Sequence, residues 1–176
     1  MDKALEKKWV KPPKFDDEDV FGLMGDESVF NYKFLKAFQE YREKLEAKGW
    51  KSVGKGRHRS VFKSPAGDRV IKVSHVPMGV KANLFELFYA ERGESFVVQR
   101  PGYFSEIHIP KVWGHTRVGQ LSVLCVEWVE RTPGRLAWEL AKEKGGQWIY
   151  DVDCDGSPQV GYTKSGRLVA FDWCTF

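Results

Sequence analysis

The chain has 176 residues and a mass of 20.3 kDa, and 42% of its residues are apolar, so it can close one hydrophobic core without disulfide or metal staples. Its 28 Lys and Arg residues against 24 Asp and Glu residues leave a net charge of +4, which is too mild to indicate a nucleic-acid-binding protein. The three cysteines have no paired spacing, and no apolar run is long enough to span a bilayer, so we expect a soluble cytoplasmic protein without a membrane partner.

Residues 1–27 predict an irregular N-terminal arm, because they combine Pro12-Pro13 with an acidic cluster at residues 16–19. Residues 28–176 are then expected to form a single compact domain. Its first element is an amphipathic helix that Ser28 can cap and Gly49 can end. Apolar side chains recur through this helix at helical spacing, at Phe30, Phe34, Phe38, Tyr41 and Leu45.

From residue 50 the pattern changes to short runs that are typical of strands. We predict strands at residues 50–53, 60–63 and 69–73, with a turn at 64–68, then a helix at 81–92 and strands at 111–116 and 121–129. A helix at 136–144 and short strands at 148–153, 159–163 and 168–171 complete the order. Short strands in hairpin succession with few helices predict an α+β fold with an antiparallel sheet.

Positive charge is concentrated between residues 51 and 72, where seven basic residues accompany the single acid Asp68. An anion that the protein binds is therefore expected to meet this segment. Within it, Lys72 interrupts the apolar run Val70-Ile71-Lys72-Val73 of a predicted strand. A lysine in such a position is costly unless its ammonium meets an anion, so Lys72 is a candidate site residue.

Gly54 and Gly56 lie between two predicted strands, where the absence of side chains lets the backbone approach a bulky anion. A Gly-x-Gly turn alone is more often an ordinary hairpin turn. Together with Val61, the two glycines fall on the first, second and last positions of GxGxxGxV, and a Val-Ile-Lys strand follows. This order resembles the glycine-rich loop and lysine-bearing third strand of the protein-kinase fold. The resemblance implies that Val61 covers the adenine of ATP and that Lys72 holds its α- and β-phosphates.

By the same resemblance, a carboxylate of the next helix should fix Lys72. We choose Glu86 as this carboxylate, with Glu91 and Glu94 as competitors. Taken alone, Glu86 could equally well be an ordinary solvated helix residue.

The stretch from residue 124 to residue 130 resembles the hinge between the two kinase lobes. That resemblance implies that Val126 is the gatekeeper residue, and that the Glu127 carbonyl and the Val129 amide form hydrogen bonds with adenine. A plain strand end explains the same stretch equally well.

The stretch from Gln159 to Asp172 is a predicted hairpin that turns at residues 164–166, through Gly166, and places a carboxylate after an apolar strand. It resembles the kinase segment that runs from the catalytic-loop asparagine to the metal-binding aspartate, so Asp172 and Gln159 are the expected Mg²⁺ ligands. The base that accepts the substrate's hydroxyl proton should precede Gln159, and Asp153 is favoured over Asp151, with Asp155 third. This acidic run also begins like an EF-hand calcium loop, but that loop needs a glutamate where this chain has a tyrosine.

Over residues 50–174 the pattern is similar to the small, divergent protein kinases of bacteriophages and bacterial effectors. The resemblance implies a minimal kinase-like fold with a strongly reduced second lobe. Its implied function is that of an ATP- and Mg²⁺-dependent protein Ser/Thr kinase that acts on a host or partner protein, in the cytoplasm of its own cell or of a host. The N-terminal arm and the predicted helix at residues 30–45 are candidates to engage the substrate and to replace part of the missing lobe.

The sequence departs from the kinase pattern at several positions. Arg59 replaces the third glycine, Gln159 replaces asparagine, and the chain ends soon after Asp172. The alternative hypothesis is therefore a catalytically weak, pseudokinase-like module that binds and inhibits a partner protein. A third hypothesis, nucleic-acid binding by Lys55, Arg57 and Arg59, is the weakest, because no aromatic stacking platform accompanies these cations.

Overall fold

The structure, a computed structural model, describes residues 27–100, 103–133, 136, 139, 153–154 and 157–171. Two helices have described bounds, α1 (Glu27–Ala47) and α2 (Pro77–Ala90). The strands are β1 (Lys51–Lys55), β2 (Arg59–Lys63), β3 (Arg69–Ser74), β4 (Ser95–Arg100), β5 (Tyr103–His108), β6 (Val112–Val118), β7 (Leu121–Glu127), β8 (Val129–Arg131), β9 (Asp153–Cys154), β10 (Ser157–Pro158), β11 (Val160–Thr163) and β12 (Leu168–Ala170). Within these ranges, no helix is long and apolar enough to cross a lipid bilayer.

Three of the predicted elements fall largely outside these ranges. The N-terminal arm is undescribed up to residue 26, and residue 27 already belongs to α1. The predicted helix at 136–144 is described only at residues 136 and 139, and the predicted strand at 148–153 only at its last residue.

Five strands form one antiparallel sheet in the order β1-β2-β3-β7-β6. The turn between β2 and β3 is closed by the Ser64 amide, which donates to the Arg69 carbonyl at 2.9 Å. Gly67 in this turn has a φ of 73°, a left-handed conformation that glycine adopts at little cost. The predicted α+β class is confirmed, as are the antiparallel sheet and the turn at 64–68, and the sheet and helices are consistent with a minimal kinase-like fold.

Helix α1 covers one face of this sheet. Phe34 and Phe38 are buried there against Phe62 and Ile71, and full burial of one such side chain contributes about 1.5–3 kcal/mol. Successive residues of a strand point to opposite faces, so Ile71 under α1 places Lys72 on the other face. Helix α1 therefore packs on the face of the sheet opposite Lys72, and its role as a substitute for part of a second lobe stays a prediction.

Helix α2 packs against β3, β6 and β7. It begins at Pro77, four residues before the predicted start, and proline suits a first helical position because its missing N–H would have no partner within the helix. Its buried residues are Gly79, Asn83 and Glu86, spaced four and three residues apart. Asn83 and Glu86 thus make the buried stripe of α2 polar.

The hairpin of β4 and β5 is absent from the sequence prediction. Its register pairs Ser95 with His108 and Arg100 with Tyr103. The dipeptide Pro101-Gly102 between the two strands is a turn signal that could have identified it.

The predicted strand at 121–129 is in fact two strands in two different sheets. Strand β7 ends at Glu127 in the large sheet, and β8 begins at Val129 and pairs with β11 in a three-stranded sheet of order β12-β11-β8. The chain passes between the sheets at Trp128, whose amide donates to the Asp68 carbonyl at 3.1 Å. The hairpin of β11 and β12 turns at Gly166, where φ is 82°, as the sequence predicted for residues 164–166.

Candidate functional site

Lys72 is the residue around which the candidate site is built. Its side chain is buried, and its Nζ donates to Glu86 Oε1 at 2.7 Å, to Glu86 Oε2 at 2.8 Å and to the Phe171 carbonyl at 2.5 Å. Glu86 lies 14 residues and Phe171 lies 99 residues further along the chain. The contact between Lys72 and Glu86 that the kinase resemblance implies is therefore present. Their roles in catalysis stay a prediction.

Arg59 is a second cation at Glu86. Its side chain is buried, and its Nη1 lies 2.5 Å from Glu86 Oε1 and 3.3 Å from Asn83 Oδ1. Glu86 Oε1 thus accepts from both Arg59 and Lys72, while Oε2 accepts from Lys72. The residue in place of the third glycine is therefore part of the site and not only a departure from the kinase pattern.

The pKa of Glu86 reflects this environment. Burial alone raises the pKa, but the charges of Arg59 and Lys72, and the hydrogen bonds that both donate, lower it below its ordinary value of 4.5. The carboxylate is consequently ionised at neutral pH. Charge-assisted hydrogen bonds then hold both cations in place.

Asn83 sets the orientation of α2 at the site. It is fully buried, and its Nδ2 donates to the Lys72 carbonyl and to the Ser122 carbonyl, each at 3.0 Å. Ser122 Oγ lies 3.1 Å from the same Nδ2 and 2.8 Å from His115 Nε2. These contacts join α2 to β3 and β7, and Glu86 follows Asn83 by about one helical turn. Asn83 therefore helps to direct Glu86 at Lys72.

Sequence reasoning missed Arg59 and Asn83 as site residues, and a signal in the sequence was available for Asn83 but not for Arg59, whose position depends on the strand register. The register pairs Arg59 with Ser74 and Val61 with Lys72, so strand alternation places Arg59 on the Lys72 face of the sheet. Helical spacing places Asn83 on the face of α2 that carries Glu86.

The loop between β1 and β2 is fixed by His75. The His75 Nε2 lies 3.1 Å from the Arg57 carbonyl, which can only accept, so Nε2 carries the hydrogen and Nδ1 accepts from the Ser60 hydroxyl at 3.1 Å. The His75 amide also donates to the His58 carbonyl at 3.2 Å. Burial lowers the pKa of His75, which keeps the ring neutral at pH 7.

Gly54 and Gly56 are not required by the fold itself. Gly54 lies in β1 beside a β-bulge, and the Gly56 amide donates to the Arg59 carbonyl at 2.8 Å. A Cβ at Gly54 would lie 3.9 Å from the Val61 Cβ, and one at Gly56 would lie 3.6 Å from the Arg59 carbonyl oxygen, both ordinary contact distances. Neither glycine has a positive φ. Their missing side chains therefore leave room on the loop, as close approach of an anion would need.

An apolar surface adjoins Lys72 on the same face of the sheet. Val61 is half-buried and packs with the buried side chains of Val70, Leu124 and Val126. These residues could contact an adenine ring, and the assignments of Val61 to adenine and of Val126 as gatekeeper stay predictions.

The two residues assigned to adenine binding lie where the chain changes sheets. The Glu127 amide donates to the Lys111 carbonyl at 2.8 Å, and the Glu127 carboxylate accepts from Arg167 Nη2 at 3.3 Å. Val129 is buried and pairs with Thr163. The position between two sheets is that expected of a hinge, while the contacts of Glu127 and Val129 with adenine stay predictions.

The two competitors of Glu86 are placed elsewhere. Glu94 forms an ion pair with Arg167, and Glu91 is exposed at the C-terminal end of α2. Arg167 contacts both Glu94 and Glu127 and so connects the loop after α2, the end of β7 and the last hairpin.

Gln159 lies beside the segment that contacts Lys72. The Phe171 amide donates to the Gln159 carbonyl at 3.0 Å, and the Phe171 carbonyl accepts from Lys72. Asp172 directly follows Phe171 in the chain but lies outside the described residues, so its prediction as a metal ligand is not addressed by the structure.

Only one of the three candidate bases lies within the described part of the chain. The backbone of Asp153 pairs with Pro158, the residue before Gln159. Asp151 and Asp155 lie outside that part. The short hairpin of β9 and β10 does not match an EF-hand loop, which lies between two helices.

A metal centre formed by protein side chains alone is not found among the described residues, where no group of three or more His, Cys, Asp or Glu side chains converges. The predicted ligands are the amide oxygen of Gln159 and the carboxylate of Asp172. One carboxylate and one amide oxygen beside phosphate oxygens would suit Mg²⁺, which prefers oxygen ligands and few protein groups.

The cationic loop is less suited to nucleic acid than its sequence suggests. Lys55 and Arg57 are exposed, but Arg59 is buried against Glu86. Only two of the three cations in the hypothesis of nucleic-acid binding are therefore exposed to a nucleic acid.

Comparison with known proteins gives little further guidance. No family model matches the chain, and no curated protein matches it. Among solved structures, the chain is similar to a crystal structure of monomeric WbdD, with 19% sequence identity over 71% of this chain and a TM-score of 0.34. The chain spans only 36% of that protein's length. A likeness of this degree carries no argument about function.

Proposed function

We propose that the chain is an ATP- and Mg²⁺-dependent phosphotransferase, most specifically a protein Ser/Thr kinase that acts on a host or partner protein. The observation that carries the proposal is the set of contacts at Lys72. One buried ammonium group meets a helix carboxylate and the backbone carbonyl directly before Asp172. These partners come from α2 and from the end of the last hairpin, which is the chain order of the kinase fold.

We assign each residue the role that the resemblance to kinases implies. Lys72 orients the α- and β-phosphates, and Glu86 fixes Lys72. Gly54 and Gly56 let the backbone of the loop approach the phosphates, because neither carries a side chain. Asp153, or one of its two neighbouring aspartates, accepts the proton of the substrate hydroxyl. Positioning and charge stabilisation account for most of the rate in such a reaction.

The proposed metal ligands are Asp172 and Gln159. Mg²⁺, when bound, supplies charge neutralisation on the phosphates. The hydrogen bond between the Phe171 amide and the Gln159 carbonyl supports this pairing, since it brings the backbone of one proposed ligand beside the residue that precedes the other.

A pseudokinase-like module that binds and inhibits a partner protein is the second candidate. An ammonium group has three N–H donors, and in this structure Lys72 has three acceptors within the protein, two on Glu86 and one on Phe171. A module that never binds nucleotide could keep this arrangement as a structural one. Binding and turnover must therefore be measured separately.

Thermal stabilisation by Mg-ATP tests the nucleotide site. A ligand at 100 times its Kd adds about 2.7 kcal/mol of stability. For a chain of this length that corresponds to a rise in Tm of roughly 5–10 °C. Lys72→Met should abolish most of the rise, whereas Lys51→Met, which removes an exposed lysine of the same sheet, should retain it. An unchanged Tm of the wild-type protein in millimolar Mg-ATP would refute the proposal.

Transfer of radiolabelled phosphate separates the kinase from the pseudokinase-like module. Asp172→Asn should abolish transfer, because a neutral amide poorly replaces a carboxylate on a divalent metal. Among Asp151, Asp153 and Asp155, replacement of the true base by asparagine should lower kcat and leave the ATP Kd nearly unchanged. ATP binding by the wild-type protein without transfer would favour the binding module. Wild-type kcat in all three variants would show instead that this acidic loop is structural and that the base is none of the three aspartates.

A further inference from the structure

His75 lies between β3 and α2 and is anchored to the loop between β1 and β2. Its ring Nε2 donates to the Arg57 carbonyl at 3.1 Å, and its backbone amide donates to the His58 carbonyl at 3.2 Å. Its ring Nδ1 accepts from the Ser60 hydroxyl at 3.1 Å. His75 thus engages two successive carbonyls of the loop and the side chain of the strand that follows the loop.

The ring of His75 reaches the loop from the face of the sheet opposite Lys72. It packs edge-on against Phe38 of α1, with the ring centroids 5.6 Å apart, and α1 covers that opposite face. Strand alternation agrees, because residues 72 and 75 are an odd number of positions apart. The hydrogen bond to His75 therefore draws the Arg57 carbonyl towards α1 and away from the face that carries Lys72.

The His58 carbonyl is held at the first turn of α2. A Cβ at Gly79 would lie 2.2 Å from this carbonyl oxygen, so the helix and the loop are in close contact there. A carbonyl oxygen carries partial negative charge and would repel a phosphate that it faced. Because His75 engages both carbonyls, neither is directed at a phosphate beside Lys72.

These contacts also order the loop before a ligand binds. Gly54 and Gly56 give the backbone of this loop unusual freedom. Ordering such a loop on binding costs conformational entropy, and contacts that order it beforehand remove part of that cost. His75 therefore offsets the freedom that the two glycines introduce.

We propose that His75 is a positioning residue, which holds the loop between β1 and β2 in the conformation that admits the phosphates of a nucleotide. The inference rests on the proposed function, since it assigns a residue to the phosphate side of the same nucleotide site. His75 acts through the loop backbone and not by contact with the ligand. Its replacement should therefore affect ATP binding and leave adenosine binding unchanged.

The test measures the dissociation constants of Mg-ATP and of adenosine by calorimetry on the full chain. His75→Leu should weaken Mg-ATP binding by roughly three- to tenfold, which is the effect of one lost hydrogen bond, and leave adenosine binding unchanged. His75→Gln keeps an N–H donor close to the place of Nε2, so its Mg-ATP affinity should lie within about twofold of the wild-type value. Leu45→Val removes buried apolar volume near the C-terminal end of α1, and this control for a loss of stability alone should bind both ligands like the wild-type protein.

The outcomes separate this inference from the proposed function. If the wild-type protein does not bind Mg-ATP, the proposed function fails and the inference fails with it. If the wild-type protein binds Mg-ATP but His75→Leu binds it equally well, or weakens ATP and adenosine by the same factor, the inference is refuted while the proposed function stands. The inference is also refuted if His75→Gln is as weak as His75→Leu, or if Leu45→Val shows the same selective loss.

If His75→Leu does not unfold cooperatively, NMR of the wild-type protein decides. A positioning role requires the hydrogen bond from Nε2 to the Arg57 carbonyl to persist in the complex. Exchange of the Nε2 hydrogen with water should therefore slow when Mg-ATP is added and stay unchanged when adenosine is added. Faster or unchanged exchange in the ATP complex would refute the inference.

Discussion

The substitution Glu86→Gln should destabilise the folded protein strongly. Glu86 is 2% exposed and lies within 2.5–2.8 Å of donors from Arg59 and Lys72. Glutamine has nearly the same shape, but it removes the negative charge and turns an N–H₂ group towards groups that can only donate. Removing one partner of a buried ion pair typically costs about 3–5 kcal/mol. For a chain of this length, that loss corresponds to a fall in Tm of roughly 6–20 °C.

Urea unfolding and calorimetry at pH 7 measure this loss. The matched control is Glu94→Gln, because Glu94 also pairs with an arginine, Arg167, but its side chain is 61% exposed. An exposed pair contributes about 0–1 kcal/mol, so the control should unfold almost like the wild-type protein. If Glu86→Gln costs no more than Glu94→Gln, the description of Glu86 as the buried counterion of two cations is wrong.

The same carboxylate should make stability depend on pH. The folded-state pKa of Glu86 is below the ordinary value of 4.5, because its two cationic partners outweigh the effect of burial. A lowered carboxylate pKa gives stability that is fully present above the unfolded-state pKa and is lost as the pH falls through the folded-state pKa. The difference in unfolding free energy between the wild-type protein and Glu86→Gln should therefore be largest near neutral pH and shrink below about pH 4.5. A difference that stays constant down to pH 2 would contradict this assignment.

Three further predictions use other parts of the structure. Gly79→Ala should lower the unfolding free energy, measured by urea titration, by about 1–3 kcal/mol, because a Cβ at this position would lie 2.2 Å from the His58 carbonyl oxygen. The control is Gly114→Ala, which should have little effect because nothing lies within 4 Å of a Cβ there. Gly54→Ala should leave the unfolding free energy within about 1 kcal/mol of the wild-type value but weaken Mg-ATP binding measured by calorimetry. Unchanged binding would argue against a close approach of the phosphates to the loop between β1 and β2. In an NMR titration the carboxylate of Asp68 should titrate with a pKa of about 2, because side-chain hydrogen bonds from Arg69 lower it, and Arg69→Met should raise that pKa.

The parts of the fold that the sequence predicted well are those with strong local signals. The turn at 64–68 was predicted from its serine, proline, glycine and aspartate, and Gly67 has the left-handed φ that favours glycine. The last hairpin was predicted in the same way, from the glycine at 166. Such signals depend on the backbone of a few neighbouring residues, so they can be read without knowing what packs around them.

The parts that were predicted poorly depend on long-range packing. The sequence from residue 121 to residue 129 reads as one apolar strand, but Trp128 lies between two strands because its amide bonds to the turn that carries Asp68. The first turn of α2 packs closely against the His58 carbonyl, which a side chain at Gly79 would prevent. Neither contact partner is near in sequence, so no local pattern indicates the outcome.

The candidate site could be predicted only in part, because some of its residues have local signals and others depend on long-range packing. Lys72 was recognisable because a charge in an apolar strand needs a counterion, and the order of motifs indicated Glu86. The role of Arg59 depends on the register between β2 and β3, which places it on the same face as Lys72. The contact of Lys72 with the Phe171 carbonyl depends on how the second sheet meets the first, and that arrangement has no signal in the residues around either partner.

The contacts of Lys72 also couple the site to the completion of the fold. A single strand cannot supply acceptors for three N–H donors, and here they come from α2 and from the end of the hairpin 99 residues later. The desolvation cost of the ammonium is offset fully only when both segments are in place. Arg167 reinforces the docking of that hairpin, because it pairs with Glu94 after α2 and with Glu127 at the end of β7. The lysine that is costly in an isolated strand is thus a residue through which the two sheets and α2 are held together.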